Sequence, residues 1–340
     1  MRFFLVVTLA LSLAAPAQAG NWADDPEYAQ HAEFATSRRI CDQLRRVELP
    51  DAKRPDRREQ GGMAGCRSEA LYYGIGVPVD AKAAFACAQL EADDMFSGDM
   101  MLMTMYANGK GVAVDLDKAI ALACVGTGAP MEIHYRVQSL TQRRGVTPTA
   151  EFHWCDDITS GLNMSWCAAH AARFDEATQA EDVKAFRRHW REGEAAVRLE
   201  ALLAAAKNFV SVRGNEVDQS GTARAALVIE AEAEVRRRLY DDLHDLAGSQ
   251  MRLAAAATDT DADAELNRVY KRVMAHDFGE YGGALSPAAI RGVQRAWLKY
   301  RDAWVAFVKA AAPGLPPQAV INLQTRHRIA QLLELLGETP

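Results

Sequence analysis

Ten residues, Leu71-Tyr-Tyr-Gly-Ile-Gly-Val-Pro-Val-Asp80, return 35 positions later as Tyr106-Ala-Asn-Gly-Lys-Gly-Val-Ala-Val-Asp115. Gly74, Gly76, Val77, Val79 and Asp80 therefore stand against Gly109, Gly111, Val112, Val114 and Asp115. A period of this length in an Ala-rich setting is that of stacked helix pairs. Gly74, Gly76, Gly109 and Gly111 would supply the left-handed backbone of a tight turn between helices. Ala83, Ala84, Ala86 and Ala88 would let the helices approach closely. A Gly-x-Gly can also cradle phosphate, but neither copy follows a strand signal or carries a Lys-Ser/Thr, so repeat turns are the reading.

The pattern Tyr-x-x-Gly-x-Gly-Val, followed by Asp and an Ala-rich helix, resembles the Sel-one-like repeat, a relative of the tetratricopeptide repeat. The two copies cover roughly Gly65 to Gly128. Alternating β-branched runs are almost absent elsewhere, so the whole chain is expected to be all-α: a short α-solenoid followed by a helical bundle. The expected divisions are a signal peptide (1–19), a helical lead-in (20–65) with one helix around Phe34 to Val47, the repeat region (66–150), a helical region (151–248) and a terminal helical domain (249–340).

The export signal is read from Arg2, the apolar run Phe3 to Ala15, and Ala17-Gln18-Ala19 before Gly20, with cleavage after Ala19. No later stretch approaches the ~18 to 20 apolar residues of a spanning helix. A periplasmic or secreted protein is expected, where Cys41, Cys66, Cys87, Cys124, Cys155 and Cys167 meet an oxidising environment. Six cysteines allow about 15 pairings. Local spacing favours Cys155 with Cys167, and the helical layout suggests Cys87 with Cys124 and Cys41 with Cys66. A zinc site from His153, Cys155, Cys167 and His170 is the competing reading of that segment. Asp259, Asp261 and Asp263 open like a calcium loop, but Ala264 and Tyr270 stand where Gly and Glu are needed. No metal and no cofactor are expected.

The terminal quarter carries the densest aromatic and charged cluster. On a helix from about Pro287 to Lys309, Ile290, Val293, Trp297, Tyr300, Trp304 and Phe307/Val308 fall three or four apart and make one apolar stripe. Arg301 lies inside it, four residues from Trp297, so its guanidinium should lie against rings and find a carboxylate. A further helix is expected from about Pro317 to Leu336, stopped at Gly337. Leu266-Asn267-Arg-Val-Tyr270, then Gln294-Arg-Ala-Trp297-Leu-Lys-Tyr300-Arg301-Asp302, then Thr325-Arg326, closely resembles the domain named after the lysozyme inhibitor LprI, over about Asp259 to Gly337.

That resemblance implies an exported helical module that inhibits lysozyme by binding it. Its motif residues are read as a hydrogen-bonded and aromatic core linking the helices. The family usually also places a cysteine where Trp304 or Val305 stands here. Phe209-Val-Ser-Val-Arg213 can be set against Trp297 to Arg301, and Arg236 to Leu239 against Arg326 to Ile329, which suggests a diverged first copy from about Cys155 to Gly248. A single domain with a long helical insertion is the alternative.

The formal charge is −6, with 39 Lys and Arg against 45 Asp and Glu, and −7 once Arg2 is removed with the signal. No basic face stands out, which argues against a nucleic-acid partner. A mild acidic excess can attract a cationic protein such as lysozyme. The expected function is therefore non-enzymatic binding of a protein partner, with oligomeric state open. The alternatives are a periplasmic repeat adaptor for envelope assembly and, less favoured, a penicillin-binding or wall-modifying enzyme. Ser-x-x-Lys, Gly-x-Ser-x-Gly and His-Glu-x-x-His are all absent.

Overall fold

In the computed structural model, the described residues are 20–49, 65–91, 96–279 and 285–338. The expected export segment lies outside them, as do the whole Pro50 to Gly62 connection and the end of the Gly-rich run after Gly279. Among the described residues there are thirteen α-helices and no strand. None of these helices is long and apolar enough to cross a membrane. The chain divides into two compact units, one drawn from Met1–Tyr72 and Asp80–Asp157, the other from Tyr73–Val79 and Ile158–Pro340.

The first unit holds α1 (Ala35–Gln43), α2 (Ser68–Tyr73), α3 (Ala81–Ala88), α4 (Gly98–Asn108), α5 (Leu116–Val125) and α6 (Pro130–Gln142). The two copies of the repeat take the same turn. Asp80 N donates to Leu71 O at 2.9 Å, and Asp115 N to Tyr106 O at 3.0 Å. Each aspartate then caps the next helix, Asp80 accepting from Ala83 N and Asp115 from Lys118 N, both at 3.0 Å. Glycine is required at two points for different reasons. Gly109 takes φ +66° against Val114, and a Cβ on Gly111 would stand 2.1 Å from Ala81 O, where the second turn meets the helix of the first copy.

Two of the three expected disulfide pairings, Cys87 with Cys124 and Cys41 with Cys66, are overturned. Cys41 is bonded to Cys124 and Cys66 to Cys87, with Cα separations of 5.5 and 6.0 Å. Cys155 and Cys167 are disulfide-bonded as well, and no cysteine is free. Cys87 and Cys124 sit on equivalent helices of successive copies. Neighbouring packed helices already lie about 8–10 Å apart, and equivalent helices of a stack are separated by an intervening one, beyond the Cα reach of a disulfide. Within one copy the helices run antiparallel, so the residue entering α2 meets the end of α3. Cys124 finds its partner on α1, which packs on α5 and α6 and so joins the repeat region.

The second unit contains α7 (Gly161–His189), α8 (Gly193–Arg213), α9 (Arg224–Ala247), α10 (Met251–Ala256), α11 (Ala262–Ala275), α12 (Pro287–Ala311) and α13 (Pro317–Glu334). In each half the first helix of a trio lies along the third, α7 on α9 and α11 on α13, and the second also touches the third. The two second helices, α8 and α12, form the most extensive pair in the unit. Leu199, Leu202 and Phe209 from α8 share one hydrophobic core with Val293, Trp297, Tyr300, Trp304 and Phe307 from α12. The ring of Phe209 stacks on Tyr300 at 5.5 Å, and Trp190 meets Phe307 edge-on at 5.0 Å. Ser286 starts α12 by accepting from Ala289 N, with Pro287 in the first turn.

Candidate functional site

The family-like residues serve three different purposes. Leu266, Trp297 and Tyr300 are buried in the core, and Tyr270 packs half-buried against it. Thr325 is fully buried with an Oγ1 that has no hydrogen-bond partner. Gln294 and Arg326 are polar ties. Gln294 Oε1 accepts from Arg328 Nε at 2.8 Å. Arg326 grips Asp259 through two hydrogen bonds, at 2.5 and 2.9 Å, and also pairs with Glu265. That grip holds the Asp259 carboxyl below its usual range, and it places the calcium-like aspartate in an intramolecular ion pair.

Asn267 corrects the expectation of a linking core residue. It is exposed, and its amide donates only within its own helix, to Asp263 O at 2.8 Å. Position on the helix explains this: Leu266, Val269 and Val273 take the buried face of α11, which turns Asn267 outward. Arg301 lies over the Trp297 ring at 5.2 Å and reaches the adjacent Asp302 at 3.1 Å, with a fifth of its side chain exposed (21%). Asp302 itself faces solvent.

The strongest buried polar assembly involves residues outside the family-like motif. Arg328, Glu216 and Arg213 are essentially inaccessible. Arg328 pairs with both oxygens of Glu216, one at 2.8 Å and the other shorter, while Arg213 approaches the same carboxylate at 3.2 Å. Glu216 follows the end of α8 directly, in a short turn whose residues carry no apolar period, so its burial has no sequence signal. Arg328 had one: it lies three residues after Thr325 and four before Leu332, on the buried face of α13. A second buried group joins α9 to α13. Asp242 Oδ2 accepts from Gln324 Nε2 at 2.8 Å and lies 3.6 Å from His327 Nδ1. Burial pushes the Asp242 carboxyl up to about 7, and burial with Arg238 and Arg252 nearby pushes His327 down to about 3.

Beside the arginine assembly opens a cleft of about 730 Å³. Its apolar lining is Val217, Leu227, Phe278, Leu285 and Leu335; its carboxylates include Asp218, Glu230, Glu234, Asp277 and Glu334. Burial, with Glu234 close by, pushes the Glu334 carboxyl up. Of the cations on the wall, Arg237 is engaged by Asp175 at 2.9 Å and Arg213 by Glu216.

Ser37 Oγ lies 3.0 Å from His134 Nδ1. The serine is fully buried, accepts from Trp22 Nε1 and donates to Phe34 O, so no substrate could reach it. Oxidation removes Cys155 and Cys167 as thiolate ligands. Among the described residues no group of three His, Cys, Asp or Glu side chains is placed to hold a metal ion.

The fold defines a disulfide-bonded all-α protein whose terminal bundle holds most of the family-like residues in its core or in intramolecular polar ties. Residues 245–336, about a quarter of the chain, match the family model described as Lysozyme inhibitor LprI. That interval runs from the end of α9 through α13 and takes in every family-like residue of the terminal motif. No curated protein and no solved structure matches the chain.

Proposed function

We propose that this chain is an exported, non-enzymatic binding protein that inhibits lysozyme by protein–protein contact. The observation that carries the reading is the family match over 245–336. Three features support it. The cysteines are all disulfide-bonded, as suits an oxidising compartment. The first residues have the composition of an export signal cleaved after Ala19. The acidic balance of the chain complements a basic enzyme.

In this reading the bundle of 158–338 descends from a duplication. The trio α7 to α9 is a diverged copy of α11 to α13, and the two copies meet through their second helices. The upstream turns at Gly74, Gly76, Gly109 and Gly111 belong to Sel-one-like repeats. A lysozyme turbidity assay with the mature protein tests the proposal. Slowed lysis at stoichiometric protein supports it, and unchanged lysis at a large molar excess removes it.

A further inference from the structure

The cleft beside Arg213 has an unusual combination of properties. Its apolar wall includes Leu227, which stays 39% exposed, together with Phe278. Among the described residues Glu230 and Asp277 have no ion-pair partner, and Asp218 is held only by Ser220. Glu334 is half-exposed (51%) and reaches Arg213 only at 3.6 Å. Arg213, 2% exposed and lining the same cleft, is already committed to Glu216. The wall thus carries negative charge that the chain itself does not neutralise. Burial first, and then the neighbouring Glu234, disfavour the charged form of Glu334.

We infer that this cleft is the docking site for a cationic segment of the protein partner, taking one or more lysine or arginine side chains. The aliphatic stem of such a residue would lie along Leu227 and Phe278 while its charged head meets Glu230, Asp277 and Glu334. Long basic side chains combine those two needs in one group. The volume, about 730 Å³, suits a few side chains and falls far short of a folded domain, so the partner inserts a loop or a terminus. A cation placed there favours the charged form of Glu334. The inference deepens the lysozyme reading, on which its choice of partner rests.

The test uses the full mature chain and two probes, hen lysozyme and an amidated Lys-Leu-Lys-Leu-Lys peptide. The cleft variant is Glu230→Lys with Asp277→Lys, and the control is Glu181→Lys with Glu194→Lys, which makes the same charge change on exposed positions of α7 and α8. Circular dichroism melts confirm that both fold. The expected result is a loss of affinity of about tenfold or more in the cleft variant at low salt, shrinking as salt rises, with the control within about twofold of the parent. Equal loss in both variants, or none in the cleft variant while the parent binds lysozyme, overturns the cleft and leaves lysozyme inhibition standing. If the parent ignores lysozyme, the inhibitor reading falls, and the peptide decides the cleft. Saturable peptide binding lost only in the cleft variant upholds it, and no peptide binding overturns it.

Discussion

Arg328 and Glu216, 112 residues apart in sequence, form a two-pronged ion pair in which neither side chain is exposed to solvent. Arg213 approaches the same carboxylate, so one anion serves two buried guanidiniums. Glu216→Ala should therefore be worse than Arg328→Met, because it takes the carboxylate from two buried guanidiniums, whereas Arg328→Met leaves Glu216 paired with Arg213. Removing a single partner of such a pair costs about 3–5 kcal/mol. Urea unfolding of both single variants and of the double variant would show the order, with the double variant losing less than the sum of the two.

The contact between Asp242 and His327 makes a prediction about pH. The Asp242 carboxyl, pushed up to about 7, contributes stability that is present below its ordinary range near 4 and lost as pH rises through 7. His327, pushed down to about 3, contributes stability that is present above its ordinary value near 6.5 and lost as pH falls toward 3. Between about pH 4 and 6.5 the two slopes oppose each other, each about 1.4 kcal/mol per pH unit at most, and the pair leaves the parent nearly flat. Asp242→Asn should unmask the histidine, so that stability rises with pH across that window. His327→Gln should unmask the aspartate and give a fall. Arg252, at 3.5 Å from Asp242, and the neighbouring Asp241 and Asp245 remain in both variants. Thermal melts from pH 4 to 8 measure the slopes, and parallel curves for the two variants would contradict this account.

The two disulfides of the first unit close chain segments of different length. Cys41 and Cys124 are separated by 83 residues and Cys66 and Cys87 by 21. Loop-closure entropy gives about 4.5 kcal/mol for the first and about 3.3 kcal/mol for the second. Paired Cys→Ala replacements should then destabilise in that order, read as the shift in denaturant midpoint of the first unit.

Gly111 and Gly65 both take a positive φ, +88° and +86°, but only Gly111 has a neighbour in the way of a Cβ. Gly111→Ala drives the new methyl into Ala81 O and should cost about 3 kcal/mol or more, as severe core clashes do. Gly65→Ala meets open space and should cost only about 1 kcal/mol of backbone strain. Melting temperatures of the two variants compare them directly.

How far the sequence could be read varied with the kind of signal. Apolar periodicity was strong, and the stripe from Ile290 to Val308 is the buried face of α12. The repeat register was equally plain, since Asp80 and Asp115 close identical turns. Pairings that depend on three-dimensional neighbours were not legible. Cys41 meets Cys124 because α1 folds back onto the repeats, and no local pattern announces that. The ion pair of Glu216 was hidden for the same reason, because a glutamate in a short turn reads as solvent-exposed until a distant arginine is brought to it. Asn267 was misjudged because a motif shows that residues recur together, not which face of the helix each one takes.

The central claim is contact inhibition of lysozyme, and a titration tests it most directly. Increasing amounts of the mature protein are added to a fixed amount of hen lysozyme, and the rate of cell-wall lysis is followed before and after dissociation in high salt. The account predicts that activity falls to a stoichiometric end point and returns in full when the complex is dissociated. Lysis that stays unchanged at a large excess of protein, or activity that does not return, would contradict it.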